Sequence, residues 1–191
     1  MIDRVGGFVA LTLVLAGAAF AGPGNEAFGP AQAAADVLRT AAGTDACFLP
    51  AGMVRESGSP DNLASILQYP TDELAVVELK GAQIRAALER SVSLYPSSST
   101  GFLQLSGVEV TFSRSAPVDK RITAVTVAGA RLDDARTYSV SMPVSLARGG
   151  YGYFKIWDKN QITRTLENAT LESLLKGRRA TDSSSRWTIQ N

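Results

Sequence analysis

The sequence predicts a single α+β domain with mixed sheets, and three observations carry that reading. Helical patterns crowd the first half of the chain and alternating strand patterns the second, unlike the regular strand–helix alternation of a doubly wound parallel sheet. No segment repeats, and no linker is long enough to divide the 191 residues into two units. Apolar residues make up 45% and charged residues 19%, a mix that fills a core and argues against disorder.

The elements follow in chain order. Met1 to Ala21 reads as an export signal: Arg4, an apolar run from Val5 to Val14, then Ala19-Phe20-Ala21 as the small-x-small cleavage pattern. The run is too short and too rich in Gly and Ala for a spanning helix, and no basic stop-transfer cluster follows it. A retained N-terminal anchor is the alternative. The reading places residues 22–191 in the periplasm or outside the cell, free of the membrane after cleavage.

Alanine-rich Gln32–Ala42 predicts a helix that starts near Phe28 and stops at Gly43. Ala46–Leu49 is a short buried strand, and Pro50-Ala51-Gly52 turns the chain. Ser57–Asp61 forms a loop expected to cap a short helix over Leu63, Ile66 and Leu67. Glu73–Leu79 is a strongly apolar strand. Gly81 then opens a helix with Ile84, Ala87, Leu88, Ser91 and Val92 on one face. After the Ser-rich loop Pro96–Thr100, three strands are centred on Val108–Phe112, Ile122–Val127 and Tyr138–Met142. A last helix is expected over Leu166–Leu175, stopped by Gly177, and a final strand over Arg186–Ile189.

Composition excludes several chemistries. The chain has no histidine, so an imidazole base, an imidazole metal ligand and a Ser-His-Asp triad are all ruled out within it. Cys47 stands alone, which excludes an internal disulfide and a thiolate zinc site; in its apolar setting it reads as a buried small hydrophobe. A net charge of +1 offers no electrostatic case for nucleic acid. Gly149-Gly150-Tyr151-Gly152 lacks the strand–loop–helix setting and the Lys-Ser/Thr of a phosphate loop, and reads as a turn needing positive φ. Asp133-Asp134 and Asp119 lie in connections without a third ligand cluster. No cofactor and no metal is expected.

Several stretches, read in order, do point to a family. They are Ala34-Ala35-Asp36-Val37-Leu38, Pro50–Arg55, Leu67-Gln68-Tyr69, Val76–Gly81 running on to Leu88-Glu89, Gly101–Gly107 with Val110 and Phe112, Tyr138-Ser139-Val140, and Ser145–Tyr153. Their order and spacing resemble the C-terminal domain of the 5′-nucleotidase and UDP-sugar hydrolase family over roughly residues 25–158. The resemblance implies a four-layer α/β/β/α sandwich with mixed sheets. It also implies a domain that grips a nucleotide while a separate metallophosphoesterase domain, with metal ligands and a catalytic His, cuts it. At family level this is hydrolase activity in nucleotide catabolism.

Residue by residue, the resemblance implies a partly altered substrate-holding site. Arg55 keeps the arginine of the N-G-G-G-I-R motif, whose guanidinium suits a phosphate through bidentate donors. A structural alternative is an ion pair from Arg55 to Glu56 or Glu73. Tyr69 falls on the aromatic of L-P-F-G, one face of a clamp around the base, whereas the other face falls on Ser145. The Asp of G-G-D-G, which holds ribose hydroxyls in the family, falls on Tyr151, and the opening Asn falls on Pro50. Base stacking contributes about 1–3 kcal/mol per base, so losing one face weakens binding by roughly tenfold or more. Tyr151 and Tyr153 are the candidates for a substitute platform.

The candidate ligand-binding residues are therefore Arg55, Tyr69, Gly149, Gly150, Tyr151 and Tyr153, with no catalytic residue assigned. The leading expectation is an exported stand-alone recognition domain for a nucleotide or other phosphorylated small molecule, without catalysis of its own. One alternative is the recognition subunit of a split hydrolase, completed in trans by a metallophosphoesterase chain. The other is a non-catalytic envelope scaffold with a vestigial cleft.

Overall fold

A computed structural model describes residues 22–181 and 184–191; the expected export signal at 1–21 lies outside the described residues. In chain order the elements are α1 (Gly29–Ala42), β1 (Ala46–Pro50), β2 (Glu73–Lys80), α2 (Gly81–Ser91), β3 (Leu103–Ser106), β4 (Val108–Ser113), β5 (Ile122–Val127), β6 (Ala130–Arg131), β7 (Thr137–Pro143), α3 (Val144–Ala147), β8 (Ile162–Thr170), α4 (Leu171–Leu175) and β9 (Trp187–Gln190). Two mixed sheets with helices packed against them result, as the sequence predicts. The larger has the order β3-β1-β7-β2-β8 and the smaller β6-β5-β4-β9. The pairs β1/β7 and β4/β9 are parallel and the rest antiparallel.

Strands β1 and β2 are apolar runs because both faces of the large sheet are covered. Cys47 and Leu49 of β1, with Leu74 and Val76 of β2, meet the small side chains of α1 and Leu171 and Leu175 of α4. Ala46 and Phe48, with Ala75, Val77 and Leu79, face a second core shared with α2 and the small sheet. Val108, Val110 and Phe112 of β4, Val125 and Val127 of β5 and Trp187 of β9 close that core, while Glu109 between them is exposed. Trp187 also donates its indole N–H to the Leu103 carbonyl at 2.9 Å, tying the sheets together.

Local chemistry sets the boundaries. Gly43 ends α1 in the left-handed region at φ 64, its N–H returned to the Arg39 carbonyl. Gly107 turns β3 into β4 at φ 72, where a Cβ would lie 2.2 Å from the Asp45 carbonyl oxygen. The buried Gln104 amide accepts from Phe28 N–H at 2.9 Å and donates to the Pro23 and Glu26 carbonyls, fixing the approach to α1.

Two local expectations need correction. Leu166–Thr170 is not helical: it completes β8, which pairs with β2 through Thr165↔Ala75 and Arg164↔Val76. The threonines at 163, 165 and 170 favour a strand, and β2 needs an outer partner for its backbone. Helix α4 starts only at Leu171, capped by Thr170, whose hydroxyl accepts from Ser173 N–H at 3.2 Å. The loop before Leu63 does not cap a helix either. Leu63–Ile66 is a 3-10 turn, and Ser59 N–H goes to the Ser65 hydroxyl. Among the described residues no helix is long and apolar enough to cross a membrane.

Two buried groups lend themselves to stability measurements. Glu89 of α2 accepts from the Arg121 and Ile122 N–H groups at 3.0 and 2.8 Å, so it holds the start of β5. Glu89→Ala strands both donors and lowers the unfolding free energy in urea by about 2–4 kcal/mol, with a smaller loss for Glu89→Gln. Burial pushes the Cys47 thiol from 9.0 up to about 12. A folded-state value above the unfolded one means stability that is complete below pH 9 and declines as the pH rises toward 12. Urea titrations should therefore fall with pH above about 9, by at most about 1.4 kcal/mol per unit from this group. Cys47→Ala flattens that alkaline fall.

Candidate functional site

After β1 the chain makes a 3-10 turn over Ala51–Met53, with Ala51 and Gly52 N–H bonded to the Phe102 and Thr100 carbonyls. It then runs antiparallel to residues 66–68. Arg55 N–H meets the Ile66 carbonyl at 2.7 Å, Gln68 N–H meets the Met53 carbonyl at 2.8 Å, and Val54 bridges Leu67. This short ladder sets buried Met53 beside Tyr69.

Tyr69-Pro70-Thr71-Asp72 forms a tight turn, with Asp72 N–H on the Tyr69 carbonyl at 3.3 Å. The first turn of α4 holds it from outside. Leu171 N–H donates to the Asp72 carbonyl at 2.8 Å and Glu172 N–H to the Pro70 carbonyl at 3.0 Å. From the other side, β7 runs through Pro143 into α3, which carries Ser145. The Asp72 carboxylate joins both sides, accepting from Glu73 N–H at 2.9 Å and Ser145 N–H at 3.3 Å.

These segments enclose a cleft of about 370 Å³ lined by Met53, Tyr69, Thr71, Asp72, Ser145 and Tyr151. Tyr69 is 53% exposed and offers an open ring face. Tyr151 donates its hydroxyl to the Met53 sulfur at 2.9 Å, and the Ser145 hydroxyl lies 3.9 Å from the same sulfur. Burial raises the Tyr151 pKa, so its hydroxyl stays a neutral donor at ordinary pH.

Behind the cleft, residues 148–157 form a glycine-rich strap. Gly149, Tyr151 and Gly152 all have positive φ, at 87, 57 and 87°. Arg90 of α2 holds the strap from its far side, donating to the Tyr151 and Gly152 carbonyls, both at 3.4 Å. Tyr153 points into the core, where its hydroxyl donates to the Gly101 carbonyl at 2.7 Å. Its ring stacks on Trp157 with centroids 4.8 Å apart, and Trp157 donates to the Leu146 carbonyl. Burial shifts the Tyr153 pKa upward as well.

The sequence candidates therefore separate. Tyr69 and Tyr151 line the cleft. Arg55 stands outside its lining, exposed, with Nε on the Gln68 side-chain oxygen at 2.8 Å. Among the described residues it makes no ion pair with Glu56 or Glu73. Gly149 and Gly150 lie behind the lining, where a Cβ would sit 2.7 Å from Phe154 Cα and 2.6 Å from the Ser145 carbonyl oxygen respectively. Tyr153 is corrected to a core residue: fully buried and hydrogen-bonded, it offers no face to a ligand. Met53, Thr71 and Asp72 are lining residues that sequence reasoning missed. The sequence signal for Asp72 is its place in a Pro-Thr-Asp turn directly before an apolar strand.

A larger groove, about 750 Å³, lies across the strap between α2 and Phe154–Ile156, with an Arg85–Asp134 ion pair of 3.0 Å on its rim. It shares no lining residue with the cleft, and its guanidinium Arg90 is already occupied by the strap carbonyls and Ser93. The smaller cleft is the better candidate because an open ring, the hydroxyls of Thr71, Ser145 and Tyr151 and a carboxylate converge there. Among the described residues no group of three or more His, Cys, Asp or Glu is placed to hold a metal ion.

Fold and cleft together define a mixed-sheet α+β domain with a small cleft beside the end of its central strand. The chain belongs to the 5′-nucleotidase, C-terminal domain family, whose sequence profile matches residues 25–158. It is 31% identical over 144 residues to a 5′-nucleotidase-related protein of Glossina morsitans morsitans, covering 68% of this chain and 26% of the relative. It is also 31% identical over 107 residues to the 5′-nucleotidase of Homo sapiens, covering 52% of this chain and 18% of that protein. The chain thus spans about a quarter or less of the length of these relatives. Among solved structures, a 5′-nucleotidase precursor from Thermus thermophilus superimposes with a TM-score of 0.74 at 23% identity, over 88% of this chain and 36% of its own. A putative 5′-nucleotidase from Staphylococcus aureus gives 0.69 at 16% identity, over 88% and 38%. These two likenesses show the fold.

Gly149 tests the strap. Gly149→Ala forces a Cβ onto the Phe154 backbone at a φ of 87° that alanine disfavours. Its expected cost is about 1–3 kcal/mol, read as a lowered thermal midpoint.

Proposed function

We propose that this chain is an exported recognition domain that holds a nucleotide or other phosphorylated small molecule and carries no catalytic centre of its own. The observation that carries the reading is the cleft itself: the open ring of Tyr69 faces a wall made by Ser145 and Tyr151, with Arg55 close by in sequence and ladder. An aromatic base would lie on Tyr69, and the phosphate would project outward to Arg55. The two terminal nitrogens of Arg55 make no hydrogen bond among the described residues. Similar proteins that bear the name 5′-nucleotidase support a nucleotide as the ligand class. Arg4, the Val5–Val14 run and Ala19-Phe20-Ala21 support export to the periplasm or the medium.

One observation favours a second reading. The 191 residues contain no histidine, so a hydrolytic role would run through a separate metallophosphoesterase chain, with this domain as the substrate-holding subunit.

Calorimetric titration with AMP, adenosine and UDP-glucose tests the proposal. Micromolar binding of AMP is expected, without phosphate release by the purified chain in the presence of divalent metal. Arg55→Ala should weaken AMP roughly tenfold, the scale of a solvent-screened charge-assisted contact, and leave adenosine unchanged. Tyr69→Ala should weaken both by the stacking contribution of about 1–3 kcal/mol. Absence of binding at millimolar ligand overturns the reading in favour of a scaffold role.

A further inference from the structure

Among the described residues the exposed large apolar side chains are Tyr69, Leu94, Val118 and Phe154. Tyr69 belongs to the cleft, whereas the other three gather around the larger groove of about 750 Å³ along α2. Phe154 lines that groove with 65% of its surface in solvent, and Leu94 and Val118 are the chain neighbours of two lining residues, Ser93 and Asp119. Apolar side chains left open singly need no explanation, but three grouped around one groove mark a contact surface.

The groove is built on one face of α2. Ala82, Ala86 and Ser93 fall together at helical spacing and give it a floor of small side chains. The helix positions on either side tie α2 to two walls. On one side Gln83 donates to the Ile156 carbonyl at 2.9 Å and Arg90 to the Tyr151 and Gly152 carbonyls, which holds the strap in place. On the other, Arg85 pairs with Asp134 and Glu89 accepts from Arg121 and Ile122 N–H, which holds the chain leading into β5 and the connection before β7. The strap wall presents Phe154-Lys155 and the wall before β5 presents Val118-Asp119, in each case an apolar residue followed by a charged one. Through their side chains Lys155 and Asp119 make no hydrogen bond or ion pair among the described residues.

The lining holds three basic and three acidic residues, so it selects neither a basic nor an acidic partner by net sign. Instead it carries the two halves of a complementary contact on opposite walls, which is the condition for a surface that fits itself. A two-fold axis running along the groove lays the strap wall of one copy on the facing wall of the other. Phe154 then meets Val118 and Lys155 meets Asp119, and symmetry makes each contact twice. We infer that this groove is a two-fold interface between two copies of this chain, with Phe154 as its apolar anchor and the Lys155–Asp119 pairs fixing its orientation.

Sedimentation equilibrium of the purified chain at low salt tests this. Wild type at about 100 μM should show twice the mass of one chain, which detects any dimer tighter than that concentration. Phe154→Asp should be monomeric with an unchanged circular dichroism spectrum, because the ring it replaces is exposed. Lys155→Glu and Asp119→Lys should each weaken the dimer by roughly tenfold, since each sets like charges opposite one another twice. Asp119 sits at φ 66, so Asp119→Asn, which suits that backbone, is the control for the loop and should weaken the dimer less than Asp119→Lys. An equimolar mixture of Lys155→Glu and Asp119→Lys should regain nearly wild-type affinity, because the mixed dimer restores both opposite-charge pairs across the axis. A monomeric wild type overturns the interface, and so does a dimer that Phe154→Asp leaves intact. Failure of the mixture to recover overturns the two-fold pairing.

Discussion

The cleft depends on one clasp, the Asp72 carboxylate shared between the start of β2 and the start of α3. The clasp is available only because β2 and β7 pair with Leu74 opposite Pro143 and Val76 opposite Ser141, which brings residue 72 beside residue 145. That register is locked by burial on both faces. A slip of one residue would exchange Val76, which faces α1, with Val77, which faces the inner core, and would misplace every side chain of the strand. Tertiary packing of two cores thus sets the geometry of a surface site several residues beyond the strand end.

The opposite wall has a different origin. Apart from a 3-10 turn at Gly150–Gly152, no helix or strand shapes residues 148–157; their path is set by aromatic burial. Tyr153 and Trp157 stack in the core and hand their polar atoms to the Gly101 and Leu146 carbonyls, so the strap is anchored at its far end. The two tyrosines that flank Gly152 consequently point to opposite sides. Tyr153 is core, and Tyr151 is turned outward by three positive-φ residues in the space of four. A non-glycine residue at φ 57 costs of order 1–3 kcal/mol, and the Arg90 guanidinium on the Tyr151 and Gly152 carbonyls is what holds it there.

Much of the fold was legible because its signals are local. The alanine stretch with Gly43, the two apolar runs of β1 and β2 and the face of Ile84, Ala87 and Leu88 each specify their element without help from the rest of the chain. The misreading of Leu166–Thr170 marks the limit. Leu171, Leu174 and Leu175 do belong to a helix, and helical spacing carries that pattern back to Leu166, whereas the need of β2 for an edge partner takes the residues up to Thr170 into the sheet. The site divides in the same way. Tyr69 was readable from motif position, whereas Arg55, picked out by its motif as well, stands outside the lining. Asp72 was not, because its meaning comes from Ser145, 73 residues away. Tyr151 and Tyr153 were equivalent in sequence and became distinct only through backbone φ.

Both walls of the cleft are therefore fixed before a ligand enters, one by β-sheet register and the other by buried rings. The floor is fixed too, since Met53 is fully buried and receives the Tyr151 hydroxyl. Tyr69 and Thr71 are the exposed residues of the lining, and the backbone of their turn is tied on the far side through Pro70 and Asp72 to α4. Ordering one ring costs little beside immobilising a loop, roughly 0.5–1.5 kcal/mol for a side chain at an interface. On the recognition role proposed above, a single aromatic face on a rigid frame would hold a flat ring with less loss than the missing second face implies, because the remaining contacts need no rearrangement to form.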